Sequence, residues 1–558
     1  MTGQRVRVAG VQMTSELGQE ARNLKRVLAA IDEAAANGAE LVVFPEGMNN
    51  GYIFDSPEQA YALATPVPGP FTDGVAAKTR ERGVYAAMGI LERREGGRVF
   101  NDALLFGPDG RIAGKAQKTF FIKADKHWLS PGELEYPIFE TPLGRVGFFI
   151  CADGRIPEPA RCLALNGADL YLNCSNWGSP DQYLAHVPTR AVENHCWVIG
   201  VTKVGEEPGN RYTGCSFIMD PAGRVYARAS ADKEEIIYAV IEPTRARDKR
   251  VGPSNDLFRD RRPETYGLLT VPTETLPVTR QLQEPLVPAQ SSAQVAVIQL
   301  VPLADPERVL EAALHHCREA VHKYFAEILV LPELFPFLPD RVAADPRAAA
   351  RVSEKALGEF LAFTRQTADY VALSLVEQDN GRFHSTAYLV GPEGVLGKYR
   401  KVHLWDQEQG WATPGDAYPV FATRFGRLGL LMGYDGLFPE CARSLTLNGA
   451  DLLLWPCAWQ AAYEYQYVAH ERTLENKVTL CAANRLDSPC PGPSLIIQPL
   501  GYPVTTLAVE APPGQIGFRS RFVTLALSRD KRILQNTDLV AHRTPALYGA
   551  LTRPARVP

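Results

Sequence analysis

The chain has 558 residues, 46% of them hydrophobic and 22% charged, with a formal net charge of −4. That length excludes a marginal core and points to several domains, and the charge offers no basic footprint for nucleic acid and no cationic face for a membrane. No apolar run reaches the roughly 18 residues of a membrane span. The opening "MTGQRVRVAGVQMTSE" has no long apolar segment, so no signal peptide is expected. Ten cysteines, none in a Cys-x-x-Cys pair, read as reduced, mostly buried thiols of a cytoplasmic protein. No ligand cluster in the sequence calls for zinc, and no metal or other cofactor is expected.

In chain order, "RVRVAGVQM" at 5–13 has the β-branched look of a strand. "ARNLKRVLAAIDEAAANGAE" then places Leu24, Val27, Leu28, Ile31 and Ala35 at helical spacing, with Gly38 as the stop. "LVVFPE" at 41–46 is a short, almost wholly apolar strand, as expected when both faces are covered. "GRVGFFICA" at 144–152 is another, and "PEPARCLALNG" reads as a helix that stops at Asn166-Gly167. Strand and helix alternate, which predicts an α/β fold with helices layered over sheet.

The same elements then recur. "RVAGVQM" at 7–13 matches "QVAVIQL" at 294–300, and "LVVFPE" matches "ILVLPE" ending at Glu333. "GPDGRIAGKAQK" ending at Lys118 matches "GPEGVLGKYRK" ending at Lys401, and "GFFICADGRIPE" matches "GLLMGYDGLFPE" without a gap. Even the tails agree, "RRPETYGLLT" at 261–270 against "HRTPALYGALT" at 542–552. The chain is therefore read as two homologous domains, 1–270 and 294–558. The Pro-, Thr-, Gln- and Ser-rich segment 271–293 reads as a linker between them.

Three residues of the first copy stand at or just past strand ends, where α/β folds place active groups: Glu46, Lys118 and Cys151. Singly, each has an ordinary structural explanation, since an isolated cysteine is usually inert and buried. Together, in "FPE", "KAQK" and "FFICADGR", they resemble the Glu-Lys-Cys triad of the carbon–nitrogen hydrolases, the nitrilase superfamily. The resemblance covers nearly all of both copies. It implies an α-β-β-α sandwich for each, with the two copies packed as an intrachain pseudo-dimer that has room for further oligomerisation. It also implies roles: Cys151 as nucleophile, Glu46 as proton carrier, and Lys118 as oxyanion donor beside a backbone N–H.

Many members carry a second glutamate six residues before a Pro-Gly. Here Asp125 stands six before Pro131-Gly132, with Glu133 as a nearby alternative, whereas the second copy has Glu408 in that place. Cys151-Ala152-Asp153 resembles the amidase and carbamoylase style and differs from the Cys-Trp-Glu of nitrile-cleaving members. The implied substrate is a small linear amide or an N-carbamoyl amine. Tyr52, Asn173, Asn176 and Trp177 occupy stretches that line the pocket in relatives. Arg155 either holds a substrate carboxylate or pairs with Asp153, Glu158 or Glu193. His127 and His195 have no partner at metal or triad spacing and read as structural.

The second copy keeps Glu333, Lys401 and Glu408 but has Gly433 where the nucleophile belongs, and no nearby Ser, Thr or Cys replaces it. Glycine adopts a strained elbow at least steric cost, and a buried Glu-Lys pair resists loss of one member. The second copy is expected to be non-catalytic, serving as a partner domain or as a ligand-binding regulator.

Overall fold

The computed structural model describes residues 4–123, 125–283, 292–500 and 506–554. They form two compact units. One comprises the residues up to Lys249 together with Leu534–Asp538 and the segment from His542 onward. The other comprises Arg250–Ile533 and Leu539–Ala541.

The first unit holds two six-stranded sheets. One runs Glu235–Ile241, Val6–Gln12, Leu41–Val43, Tyr85–Arg94, Arg98–Phe106, Ile112–Gln117. The other runs Val225–Arg228, Phe217–Met219, Trp197–Thr202, Leu170–Ser175, Gly144–Phe148, Ile138–Thr141. The central pairings of both sheets are parallel. Between the sheets, Val8, Val43 and Leu105 of one pack against Phe148, Leu172 and Ile199 of the other. On the outer face of the first sheet, Val42 and Met88 meet Val27 and Ile31 of the helix Glu20–Ala36. The helices Pro157–Leu165 and Val187–Asn194 pack on the second sheet. The central strand Leu41–Val43 is covered on both sides, which is why "LVVF" is apolar at every position. The layering is α-β-β-α.

The second unit repeats this arrangement. Its sheets run Gly394–Arg400, Arg382–Gly391, Tyr370–Asp379, Ile328–Val330, Ser292–Gln299, Gly517–Thr524, and Val420–Thr423, Gly426–Leu430, Leu452–Cys457, Thr479–Asn484, Leu495–Pro499, Thr506–Glu510. The helices Pro306–Tyr324 and Pro346–Thr367 cover its first sheet. Among the described residues, no helix is long and apolar enough to cross a membrane.

The tails differ from the expected boundaries. Residues 250–270 do not stay with the first copy but pack in the second unit, where Arg261 pairs with Glu440 at 3.2 Å and Tyr266 bonds His403 at 2.7 Å. The matching C-terminal segment belongs to the first unit, where Arg543 lies 3.4 Å from Glu158 and Tyr548 stacks on Tyr136. The expected linker is ordered as well, as far as its described residues go. A turn at Thr273–Thr275 and a helix at Pro277–Gln283 pack in the second unit, anchored by buried Leu276 and Val278. Composition suggested a linker because two apolar anchors in a polar run leave no periodic signal. Residues 284–291 lie outside the described residues.

Glu158 and Arg543 are both almost fully buried. Removing one member of a buried ion pair costs about 3–5 kcal/mol where nothing compensates the other. Arg543→Leu is therefore expected to lower the thermal unfolding midpoint by several degrees, and adding Glu158→Gln to recover part of the loss. Additive losses in the double variant would show that the pair is not coupled.

Candidate active site

Four chain segments converge in the first unit. Glu46 follows the strand Leu41–Val43, fully buried, with its backbone pressed against Gly89, where an added Cβ would sit 2.6 Å from the Glu46 Cα. Lys118 leaves the strand Ile112–Gln117, its N–H bonded to the Asn101 carbonyl at 2.9 Å. Asp125 opens the short helix Asp125–Trp128. Cys151 opens the turn Cys151–Arg155 at φ +45°, a left-handed conformation that a non-glycine residue holds only when its surroundings fix it.

The Lys118 ammonium is the hub. Its Nζ lies 3.0 Å from Glu46 Oε1, 2.9 Å from Asp125 Oδ2 and 2.9 Å from the Tyr52 hydroxyl. Tyr52 donates to Asp125 Oδ1 at 3.0 Å. Asn101 Nδ2 donates to Tyr52 at 3.1 Å and to Glu46 Oε1. Burial alone would lower the lysine's pKa, but Asp125 and Glu46 outweigh it and hold the group well above its ordinary value. Lys118 is a fixed cation. The Cys151 thiol goes the other way: burial, then the Glu46 charge, push it up to about 12, against smaller downward pulls from Lys118 and the Asn176 backbone N–H. At neutral pH Cys151 rests as the thiol and needs a base to react.

Asp153 ties the parts together. Its carboxylate accepts from the backbone N–H groups of Ile150, Thr119 and Phe120 at 2.9, 3.0 and 2.8 Å, joining the cysteine turn to the loop after Lys118. Burial raises it to about 6, with those three N–H groups opposing. Glu46 Oε2 and both polar atoms of the Asn176 side chain are buried without a hydrogen-bond partner among the described residues. Unpartnered polar atoms beside a nucleophile are where a substrate or water binds.

Several sequence expectations are corrected. Arg155 pairs with Asp181 at 2.7 Å and donates to Ser179 at 2.8 Å, so its partner is none of Asp153, Glu158 or Glu193. Its two terminal nitrogens are taken up by Asp181 and Ser179, while its Nε is buried without a hydrogen-bond partner among the described residues. Asn173 donates to the Phe149 carbonyl at 2.8 Å and accepts from Ser175 at 2.7 Å, bracing the strand end instead of lining a pocket. Trp177 is fully buried against Tyr183 and Phe217. Tyr52 bonds the lysine itself. Glu133 is largely exposed and pairs with Arg98, whereas Asp125 reaches Lys118.

Two contributors escaped the sequence. Asn101 stands beside another buried polar residue, Asp102, in the strand Arg98–Phe106, and nothing in the sequence singles it out. The loop carrying Asp125 is also held from the C-terminal segment: Lys123 N–H donates to Thr537 Oγ1 at 3.0 Å, and Lys126 contacts His542. Their sequence separation hides both contacts.

In the second unit Lys401 again sits between two carboxylates, 2.7 Å from Glu333 and 2.5 Å from Glu408. Burial, opposed by Lys401 and reinforced by Glu408, raises the Glu333 pKa. Around this core the clamp is gone. Pro339 stands at the Tyr52 position and Ser385, whose carbonyl accepts from Lys401 N–H, at the Asn101 position. Gly433 keeps the left-handed turn at φ +38°, but a Cβ there would lie 2.2 and 2.5 Å from the Glu333 oxygens. Glu333 has moved into the space of the missing thiol. Nearby, His403, Asp435 and Cys441 come within ligand distance, a cluster the sequence did not disclose. The His403 ring already bonds Asp435 and Tyr266, which accounts for it without an ion.

The carbon–nitrogen hydrolase family signature matches residues 7–250 and again 294–511. The chain belongs to this family, as a tandem pair in which the second copy has Gly433 where the first has Cys151, and it is a hydrolase. Similar proteins include a nitrilase from Pyrococcus abyssi, 37% identical over 262 residues, which are 47% of this chain and 99% of that one. An omega-amidase from Homo sapiens is 28% identical over 281 residues, 48% of this chain and 98% of that one. Among solved structures, an amidase from Nesterenkonia sp. is 23% identical with a TM-score of 0.40, covering 45% of this chain and 95% of that one.

The position of Glu333 makes the loss of the second site hard to reverse. In a Cys151→Ala background, Gly433→Cys is expected to restore no hydrolysis, because the new side chain and the Glu333 carboxylate compete for one space. Ammonia release above that of Cys151→Ala alone would refute this reading.

Proposed function

We propose that the first copy hydrolyses the C–N bond of a small, uncharged linear amide or N-carbamoyl amine, releasing ammonia. The observation that carries this is the buried Lys118 ammonium held by Glu46 and Asp125 beside a Cys151 thiol whose own base has an unpartnered oxygen. The Cys151 sulfur attacks the carbonyl carbon as Glu46 takes the thiol proton, and the C–S bond forms. Lys118 and a backbone N–H stabilise the resulting oxyanion. Collapse breaks the C–N bond, Glu46 returns the proton to nitrogen, and ammonia leaves a thioester on Cys151. Water, deprotonated by Glu46, then releases the acid and restores the thiol. Asp125 and Tyr52 position Lys118, and the free polar atoms of Asn176 suit the substrate amide. The uncharged substrate follows from the pairing of Arg155 with Asp181.

The test is ammonia release by the full chain from short aliphatic amides, N-carbamoyl amines, N-carbamoyl amino acids and nitriles. Amides are expected to turn over faster than matched nitriles, given Cys-Ala-Asp at the elbow. Equal or better turnover of nitriles would favour the nitrilase reading that the Pyrococcus relative's name suggests. Cys151→Ala is expected to abolish hydrolysis with the fold intact, and retained turnover would remove the nucleophile assignment. Glu46→Gln is expected to cost at least about 10²-fold in rate, the usual scale for a lost proton carrier. Glu46 is also among the charges pushing the thiol's pKa up, so its removal brings that pKa down towards neutrality. At neutral pH, Glu46→Gln should therefore leave alkylation of Cys151 by iodoacetamide no slower. A parallel fall of alkylation and hydrolysis would mean that Glu46 supports the thiol's reactivity in general and is not specifically the proton carrier.

A further inference from the structure

The second copy retains a cavity of about 460 Å³ at the place of its lost active site. Its floor is the Glu333, Lys401 and Glu408 cluster, and Trp405 and Trp411 stand in its wall. Five of its lining side chains are carboxylates and two are cations. Both cations are spent. Lys401 lies between Glu333 and Glu408. Arg485 pairs with Asp487 at 2.7 Å and gives its other N–H groups to the carbonyls of Glu333, Leu334 and Phe337. On the acidic side there is a surplus. Glu408, more than nine-tenths buried, accepts the Trp405 N–H at 2.8 Å on Oε2, while its Oε1 has no partner among the described residues.

A buried carboxylate oxygen without a donor is costly unless a ligand supplies one. An excess of negative charge excludes an anionic ligand and favours a cation, and indole walls favour a cation as well. The volume admits a small molecule. We propose that this cavity binds a small primary alkylammonium ion, its NH3⁺ on Glu408 Oε1 and Glu333 and its chain against Trp405 and Trp411. The proposal is independent of the substrate assigned to the first copy. It makes the second copy a binding module built on the Glu333, Lys401 and Glu408 cluster.

The test is calorimetric titration of the full chain carrying Cys151→Ala, so that nothing turns over, with n-butylammonium, n-butyramide and n-butyrate. The expected result is one saturable site for butylammonium, bound at least about tenfold tighter than the other two, the difference one charge-assisted contact makes. Glu408→Gln, which keeps the side chain's shape, is expected to weaken it at least about tenfold. Trp411→Ala, which trims the apolar lining and removes no charge, is expected to weaken it as well, with the variant's folded state checked by its circular dichroism spectrum because Trp411 also packs on the Leu334 and Phe337 cluster. Three results would each overturn the proposal: no saturation at millimolar butylammonium, equal or tighter binding of butyramide or butyrate, or affinity for butylammonium untouched by both variants.

Discussion

The first unit is organised around a buried ammonium between two carboxylates. Lys118 cannot be neutral while Glu46 and Asp125 flank it, and neither carboxylate could be so deeply buried without it. Each of the three comes from a different part of the chain, so their mutual attraction also fixes the strand ends that carry them. The cysteine is placed by the same cluster. Its sulfur lies in the field of Glu46 and Lys118, whose effects oppose one another, and burial decides the balance in favour of the thiol. A thiol that stays protonated is protected from adventitious oxidation and alkylation, which act on the thiolate.

Comparison of the two copies separates what the fold needs from what the chemistry needs. The lysine and both acidic positions persist in the second unit, as they must if removing one leaves the others unpaired. What the second copy lacks is everything that aims the cluster at a thiol: the cysteine itself, the tyrosine that bonds the lysine, and the asparagine that pins Glu46. With Pro339 and Ser385 in place of the last two, nothing holds Glu333 back, and it fills the space that Gly433 vacates. At Gly436, an added Cβ would meet the Trp455 ring at 1.8 Å, and Trp455 donates to the Gly433 carbonyl at 3.1 Å. Trp455 takes the place of Asn173, so the elbow has been rebuilt around an indole. The departure is distributed over several residues, not confined to one.

Most of the sandwich was legible because its signals are local or repeated. Apolar runs bounded by glycine mark the covered strands, and Gly38 and Gly167 end their helices with φ of +80° and +106°. Glu46, Lys118 and Cys151 stood out as candidates because they sit at or just past strand ends and the first two recur in order in the second copy. What was not legible depends on contacts between residues far apart in sequence. Asn101 is an unremarked polar residue in a strand until Glu46 and Tyr52 are placed beside it. Arg155 was weighed against the acids nearest in sequence and in the adjacent helix, whereas its partner Asp181 lies beyond the following strand. The tails were recognised as equivalent, but equivalence says nothing about which unit each joins.

That exchange of tails bears on why a second, nucleophile-free copy stays in the chain. The buried carboxylate of the helix Pro157–Leu165 finds its arginine in the segment that follows the second copy, and Glu440 finds its arginine in the segment that follows the first. The loops that carry the second acid are held the same way. Thr537 bonds the Lys123 N–H just before Asp125, while Asn255 accepts the Asp406 N–H at 2.7 Å and donates to the Leu404 carbonyl at 2.9 Å just before Glu408. Removing the second copy together with its tail would therefore take Arg543 from Glu158 in the first unit and release the loop that brings Asp125 to Lys118. The constraint acts on backbone and buried charge and makes no demand on residue 433. Folding constrains the buried Glu333, Lys401 and Glu408 cluster, which the second copy keeps, and not position 433, where it has glycine.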